Sequence, residues 1–183
     1  MGKSEGNFIF IRDALKEYTP ETIRHFLLSA HYRHPLDYNQ HSLAESRSAV
    51  RRLQNSISSI QQYSPPNTDP RSVSSTQSRA ELVRENDQLV DSTLTEAVNQ
   101  MRTSFERAMD DDFNTAGAIS VLHGVAGELN QARRDGDENR IRELAAVLVR
   151  LGGVLGLLQQ DPEAFFQAGA PDDMSAEQIE AMI

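Results

Sequence analysis

Apolar residues recur at every third or fourth position over four long stretches of the chain, a spacing that places them on one face of an α-helix. The stretches are 42–60, 89–109, 116–134 and 137–158. This pattern predicts an all-α fold, an antiparallel bundle of three to four long helices preceded by a short helical neck. The positions expected to face the core are Leu43, Val50, Leu53, Ile57 and Ile60; Leu94, Val98, Met101, Phe105 and Ala108 or Met109; Ile119, Leu122, Val125 or Ala126, and Leu129; and Ile141, Leu144, Leu148, Leu151, Leu155 and Leu158.

A shorter helix is predicted in the neck, over the segment PETIRHFLL. Thr19 can cap it, and Pro20 suits the first helical position, where a missing N–H costs nothing. Pro35 is expected to stop it. Its apolar face is expected to comprise Ile23, Phe26, Leu27 and Ala30. The residues expected on its other side and at its exit are Arg24, His25, His31, Arg33 and His34.

Polar residues and glycines indicate where the long helices begin and end. Ser42 and Glu45 have the spacing of a capping box at the start of the first. Asn114 or Thr115 is expected to cap the third. Three glycines late in the fourth helix, expected to mark a close helix approach or a local break, are Gly152, Gly153 and Gly156.

Composition divides the chain into three predicted parts. Residues 1–41 form the neck, 42–158 the helical region and 159–183 the start of a further region, which opens a helix at Ser175 and looks truncated. Within the helical region, residues 64–79 are rich in Ser and Pro and are expected to form a flexible linker, because they cannot bury enough apolar surface to offset the entropy of ordering.

The net charge of −9 is unevenly distributed. Residues 1–62 contain eight Lys and Arg against six Asp and Glu, and four of the five histidines. Residues 63–183 contain ten basic residues against twenty-one acidic ones. A surface that meets a polyanion is therefore expected in the N-terminal third, whereas the whole molecule is a poor nucleic-acid binder on charge alone.

No catalytic or metal-binding constellation stands out in the sequence. The chain contains no Cys, which excludes a disulfide framework, a thiolate zinc site and a cysteine nucleophile. Gly2-Lys3-Ser4 lacks the upstream glycine of a phosphate-binding loop. His31 and His34 are too few for a zinc site, and the three adjacent acids at 110–112 do not converge as metal ligands do. No apolar run approaches the roughly 20 residues of a membrane span, so a soluble, cytoplasmic protein is expected.

Four motifs occur in an order and at approximate spacings that resemble the cysteinyl-tRNA synthetases: GKSEGNF, IRDALKEYTPETIRHFLLSAHYRHPLDY, AMDDDFNT and LGGVLGLLQQDPEAF. The resemblance covers nearly the whole chain, from the end of the KMSKS loop through the helical tRNA-binding domain named DALR. Residues 21–24 take the place of the motif that gives this domain its name. The ligase of mycothiol biosynthesis shares the HYR-type segment, but the two later motifs favour the synthetase.

The resemblance implies what the chain binds and what it lacks. Lys3 matches the second lysine of the KMSKS loop, so Lys3 and Ser4 are the expected ATP-binding remnant, although Gly2 stands for a Ser and the leading Lys is absent. The catalytic Rossmann domain, with its HIGH motif and zinc, is expected to be missing. The chain is therefore expected to hold no cofactor, whereas the full-length family uses ATP and zinc. The implied partner is tRNA(Cys).

The resemblance and the charge distribution together select candidate RNA contacts in the basic third. For the three arginines of the first long helix, an ordinary solvated face is the simpler interpretation. The candidates are Arg24, His31, Arg33, Arg47, Arg51 and Arg52.

Two hypotheses about function follow. The first is the tRNA-binding helical portion of a cysteinyl-tRNA synthetase, inactive in ligation by itself. The alternative is a stand-alone degenerate synthetase paralogue that acts as a helical protein-interaction module. In either case Phe8, Ile9 and Phe10, with Phe26 and Leu36, are expected to form an apolar patch that supports self-association or the docking of a separate catalytic domain.

Overall fold

The computed structural model describes residues 11–61 and 95–159, with side chains up to Ser58 in the first range. These two ranges contain six helices and no strand. The all-α prediction is therefore confirmed, whereas the antiparallel bundle arrangement stays a prediction. The helices are α1 (Ile11–Ala14), α2 (Pro20–Leu28), α3 (Gln40–Gln61), α4 (Glu96–Asp110), α5 (Thr115–Asp135) and α6 (Glu138–Val154).

The core lies where α5 packs against both α4 and α6. Leu122 and Leu129 of α5 and Leu144 and Leu148 of α6 are fully buried. Burying each such side chain contributes about 2 kcal/mol. The other predicted core positions that are buried are Leu43, Val50, Leu53, Ile57, Val98, Phe105, Ile119, Val125, Ala126, Leu151, Leu155 and Leu158, with Met101, Ala108, Met109 and Ile141 partly buried.

Helix α2 packs against α3 and begins as predicted. The Thr19 hydroxyl accepts a hydrogen bond from the Thr22 backbone N–H at 3.2 Å, and Pro20 is the first helical residue. The helix ends at Leu28, with Ser29 as its C-cap. The expectation that Pro35 stops it is therefore wrong, because the chain leaves the helical path before the proline can act.

The face that α2 buries differs from the predicted apolar face. Glu21, His25 and Phe26 are buried, whereas Leu27 is 53% exposed. The hydrophobic spacing failed here because the Glu21 carboxylate finds donors inside the fold, which allows a polar face to turn inward. Phe26, expected in an exposed patch, instead contacts the Tyr38 ring edge-on, with 5.9 Å between ring centroids.

Two helix starts differ from the predictions. At the start of α3 the side chain of Asn39 accepts hydrogen bonds from both the backbone N–H and the hydroxyl of Ser42, at 2.8 and 3.0 Å. Asn39 therefore does the capping that was expected of Ser42. Helix α4 begins at Glu96 with Thr95 as its N-cap, so the predicted start near residue 89 is wrong.

The glycine-rich end of α6 contains both a close approach and a break. The helix ends at Val154 rather than at Leu158, and Gly156 adopts a left-handed backbone with φ of 65°. Side-chain atoms of Leu158 lie so close to Gly152 that a Cβ at that glycine would overlap them. The break turns Leu157 and Leu158 back into the core.

Several predictions fall on residues outside the described ranges. They include the ATP-binding remnant, the patch at Phe8, Ile9 and Phe10, the linker at 64–79 and the inward position Leu94, and the inward position Ile60 lies beyond the residues whose side chains are described. The region boundaries at 41 and 158 also stay predictions. Among the described residues, no helix has the length and apolar character needed to cross a membrane.

Candidate nucleic-acid interface

Helix α3 carries three of the predicted RNA-contact residues along its length. Arg51 and Arg52 are exposed, and Arg47, one turn before Arg51, is half-buried. Leu53 and Gln54 follow on the buried side of the same helix. The buried residues fix the rotation of α3, and this rotation leaves the guanidinium groups at the surface.

Arg52 of α3 acts electrostatically on two imidazoles that belong to other helices. His25 of α2 and His123 of α5 meet edge-on, with ring centroids 6.1 Å apart. Burial lowers the pKa of His25 to about 4, and His123 and Arg52 act in the same direction. Burial and Arg52 also lower the pKa of His123. The sequence did not pair these residues, because they come from three separate helices.

Arg24 of α2 lies beside the turn that follows α6. Its guanidinium lies over Gly156, so closely that a Cβ at that position would overlap it. Arg24 is exposed and forms no ion pair within the described part of the chain. Among the described residues, its charge therefore lies exposed near the end of α6.

Arg33 and His31 both lie beside the carboxylate of Asp112. The Arg33 Nε is 2.7 Å from Asp112 Oδ2, its Nη2 donates to Asp112 Oδ1 at 3.1 Å, and Tyr32 donates to the same Oδ1 at 2.7 Å. His31 stacks on the Tyr32 ring with 4.9 Å between centroids. Hydrogen bonds from Tyr32 and Arg33 hold the pKa of Asp112 below its usual range. The positive charge of Arg33 is thus offset locally.

The loop that supplies Asp112 has an unusual backbone. Asp112 and Phe113 adopt left-handed conformations, with φ of 51° and 54°, and Phe113 is 65% exposed. Asn114 then caps α5 by accepting from the Gly117 N–H at 2.9 Å, and the Thr115 hydroxyl donates to the Leu28 carbonyl at 2.8 Å. Of the two cap candidates, Asn114 is confirmed. The loop fastens the end of α2 to the start of α5.

Glu21 has a structural role that the sequence did not predict. Its Oε2 accepts from the buried Gln54 amide at 2.8 Å and its Oε1 accepts from the Leu158 backbone N–H. Gln54 among the apolar positions of α3 was the available signal, because a buried amide needs a polar partner. Glu21 thereby ties α2 to α3 and to the turn after α6.

The acids at 110–112 do not gather into a metal site. Asp112 is committed to Tyr32 and Arg33, and Asp110 and Asp111 are exposed. Within residues 11–61 and 95–159, no three His, Asp or Glu side chains are grouped in a way that could hold a metal ion. His31 and His34 have ring centroids 5.6 Å apart in an edge-on contact, outside any helix.

Comparison with protein families places these helices in a known class. The model described as "DALR domain" matches residues 104–159, which comprise the end of α4, all of α5 and α6, and the turn after α6. The model described as "tRNA synthetases class I (C) catalytic domain" matches residues 1–48. The chain thus carries segments of a class I aminoacyl-tRNA synthetase.

Full-length similarity narrows the class to one family. The cysteine–tRNA ligases of Marinobacter nauticus, Pseudomonas aeruginosa strain LESB58 and Halorhodospira halophila are 44%, 38% and 39% identical to this chain over 183 residues. The chain belongs to the cysteine–tRNA ligase family, as the motifs predicted. It spans about a third of the length of these relatives, since the matches cover 100% of this chain and 34%, 33% and 33% of theirs.

Proposed function

We propose that this chain is the tRNA-binding helical portion of a cysteine–tRNA ligase, acting in the ATP-dependent attachment of cysteine to tRNA(Cys). The observation that carries this proposal is the 44% identity to a cysteine–tRNA ligase over all 183 residues, together with the DALR match on α4 to α6. The proposal assigns the described helices to contacts with the RNA rather than to the ligation chemistry.

The α3 arginines are the proposed centre of the RNA contact. Protein–RNA affinity derives largely from neutralised phosphates, so exposed guanidinium groups in a locally basic part of an acidic chain are the residues that matter most. Arg51 and Arg52 are exposed neighbours, and Arg47 lies one turn away on the same helix. Arg24 is the further candidate on α2.

Arg33 ranks below the α3 arginines in this proposal. Its guanidinium is held by Asp112, so a phosphate would have to compete with an existing carboxylate. Asp110 and Asp111 are exposed next to that pair and repel a polyanion further. His31 and Arg33 are therefore proposed to hold the α2 exit against the Asp112 loop.

The test is tRNA(Cys) binding by fluorescence anisotropy at several salt concentrations. For the R51E/R52E variant we expect affinity to fall at least tenfold and the salt dependence to flatten, because each lost phosphate contact removes counterion release. The matched control is R107E/R142E, which changes the net charge equally at exposed positions of α4 and α6. Equal losses in both variants would remove α3 from the proposal and leave only a general charge effect.

The assignment to binding rather than chemistry has its own test. Aminoacylation by the chain with ATP, cysteine and tRNA(Cys) is expected to yield no cysteinyl-tRNA, while anisotropy reports binding under the same conditions. A folded chain that fails to bind tRNA(Cys) even at low salt would favour the alternative, a stand-alone helical protein-interaction module. The exposed Leu15 and Leu27 are the side chains that such a module would offer to a partner.

A further inference from the structure

A buried imidazole that finds no hydrogen-bond partner among the described residues lies at the junction of α2, α3 and α5. His25 is 5% exposed, and neither of its ring nitrogens has a partner within residues 11–61 and 95–159. A neutral imidazole carries one donor and one acceptor, and leaving them unsatisfied in the interior is unfavourable. Such a group calls for a compensating partner.

The surroundings of His25 are positive rather than negative. Burial is the main cause that lowers the pKa of both imidazoles; beside it, His123 and Arg52 lower the pKa of His25, and Arg52 lowers that of His123. The nearest acid along α2 is Glu21, one turn earlier, but its two oxygens accept from Gln54 and from the Leu158 N–H. Arg52 forms no ion pair within the described residues. Among the residues that the structure describes, the cluster therefore presents donors and positive charge without a matching acceptor.

We infer that Arg52, His123 and His25 form an anion site that takes a phosphate group of the RNA backbone. Arg52 is exposed and His123 is half-buried, so these two side chains contact the anion, and His25 lies behind them as the buried donor. A planar guanidinium beside an imidazole suits a tetrahedral oxyanion, because both groups donate hydrogen bonds and carry or can acquire positive charge. RNA as the source of the phosphate rests on the proposed function, whereas the anion site rests on the cluster itself.

The anion site is tested with inorganic phosphate, using the whole chain. The five histidine ring signals are followed by NMR while phosphate replaces chloride at constant ionic strength and pH 7. The signals of His25 and His123 are expected to shift in a saturable way, while that of the exposed His41 stays in place. The R52Q variant is expected to lose the shifts, and the matched neighbour variant R51Q to keep them.

A second variant tests whether the phosphate response needs the nitrogen donors of His123 or only its aromatic ring. His123→Phe retains an aromatic ring against His25 but removes the nitrogen donors, so it is expected to stay folded by circular dichroism and to lose the phosphate response of His25. Phosphate shifts that are absent in the unmodified chain, or equal in R52Q and R51Q, would overturn the anion site whether or not the chain binds RNA.

The source of the phosphate is decided with tRNA in the same assay. tRNA(Cys) is expected to shift the same two histidine signals, and R52Q to weaken its binding about tenfold more than R107Q, which changes an exposed arginine of α4 outside the proposed contact. Phosphate shifts without any such difference in RNA affinity would keep the anion site and overturn RNA as its ligand. A chain that binds phosphate but no tRNA would contradict the proposed function and leave the site standing.

Discussion

The buried Glu21 carboxylate and the Gln54 side-chain amide form a 2.8 Å hydrogen bond that joins α2 to α3. Glu21 is 4% and Gln54 1% exposed, so this bond lies in the interior. The second carboxylate oxygen accepts from the Leu158 backbone N–H beyond the end of α6. One acidic side chain thus holds three separate parts of the chain together.

Glu21→Gln is expected to destabilise the fold by about 1–3 kcal/mol, because one acceptor oxygen becomes an NH2 donor that faces an existing donor. Urea unfolding followed by circular dichroism measures the change. Glu17→Gln, an exposed acid in the same neck, is the control and is expected to change stability by less than about 0.5 kcal/mol. Equal stability of the two variants would show that the Glu21 junction contributes little.

Asp112 combines an ion pair with a left-handed backbone, and two substitutions separate these effects. Asp112→Asn keeps a side chain that tolerates φ of 51° but weakens the bonds to Arg33 and Tyr32, so a small loss of stability is expected. Asp112→Ala adds backbone strain and is expected to lose more. Thermal unfolding of both variants checks the order, and a smaller loss for Ala than for Asn would contradict it.

The pH dependence of stability is expected to report His25. Its pKa is about 4 in the folded chain against an ordinary 6.5, so the unfolded chain binds more protons between these values. As far as His25 is concerned, the free energy of unfolding is therefore highest above about pH 6.5. It falls as the pH drops towards 4, by about 3 kcal/mol in all.

The measurement for His25 is urea unfolding in chloride-based buffers from pH 7.5 to 4. His25→Phe keeps the ring and is expected to flatten the pH dependence in that window, with His123 supplying the remainder. His41→Gln, at an exposed position, is the matched control for the loss of one imidazole. An unaltered slope in His25→Phe would assign the acid sensitivity to other groups.

Replacing glycine by alanine is expected to change the stability of the fold in opposite directions at two positions. Gly156 has φ of 65°, so Gly156→Ala should destabilise the turn after α6 by about 1 kcal/mol. Gly124 lies within α5 with open space around its Cα, so Gly124→Ala should stabilise by up to about 1 kcal/mol. Urea unfolding measures both.

A variant of Arg24 tests whether the loss of stability in Gly156→Ala comes from the backbone or from overlap with a side chain. Its guanidinium would overlap an alanine at 156 but is exposed and can move aside. In an R24A background, Gly156→Ala is therefore expected to cost nearly the same. Full recovery of stability in the double variant would identify the side-chain overlap, rather than the backbone, as the cause.

The sequence alone determined the helical class and the inward faces of the long helices. A helix that covers a core must repeat apolar residues near its period of 3.6, and Leu122, Leu129, Leu144 and Leu148 lie where that spacing predicts. Local signals also gave the Thr19 cap and narrowed the cap of α5 to Asn114 or Thr115, since a cap forms between neighbouring residues. The ordered motifs gave the family.

Only the tertiary structure decided which polar side chains meet. Glu21 and Leu158 are 137 residues apart, and Arg33 reaches Asp112 across 79. The inward turn of His25 likewise depends on α3 and α5, so no spacing within α2 could reveal it. Apolar periodicity follows from the geometry of one helix, whereas a buried polar group is stabilised only by its partner, and the position of that partner is set by how the whole chain folds.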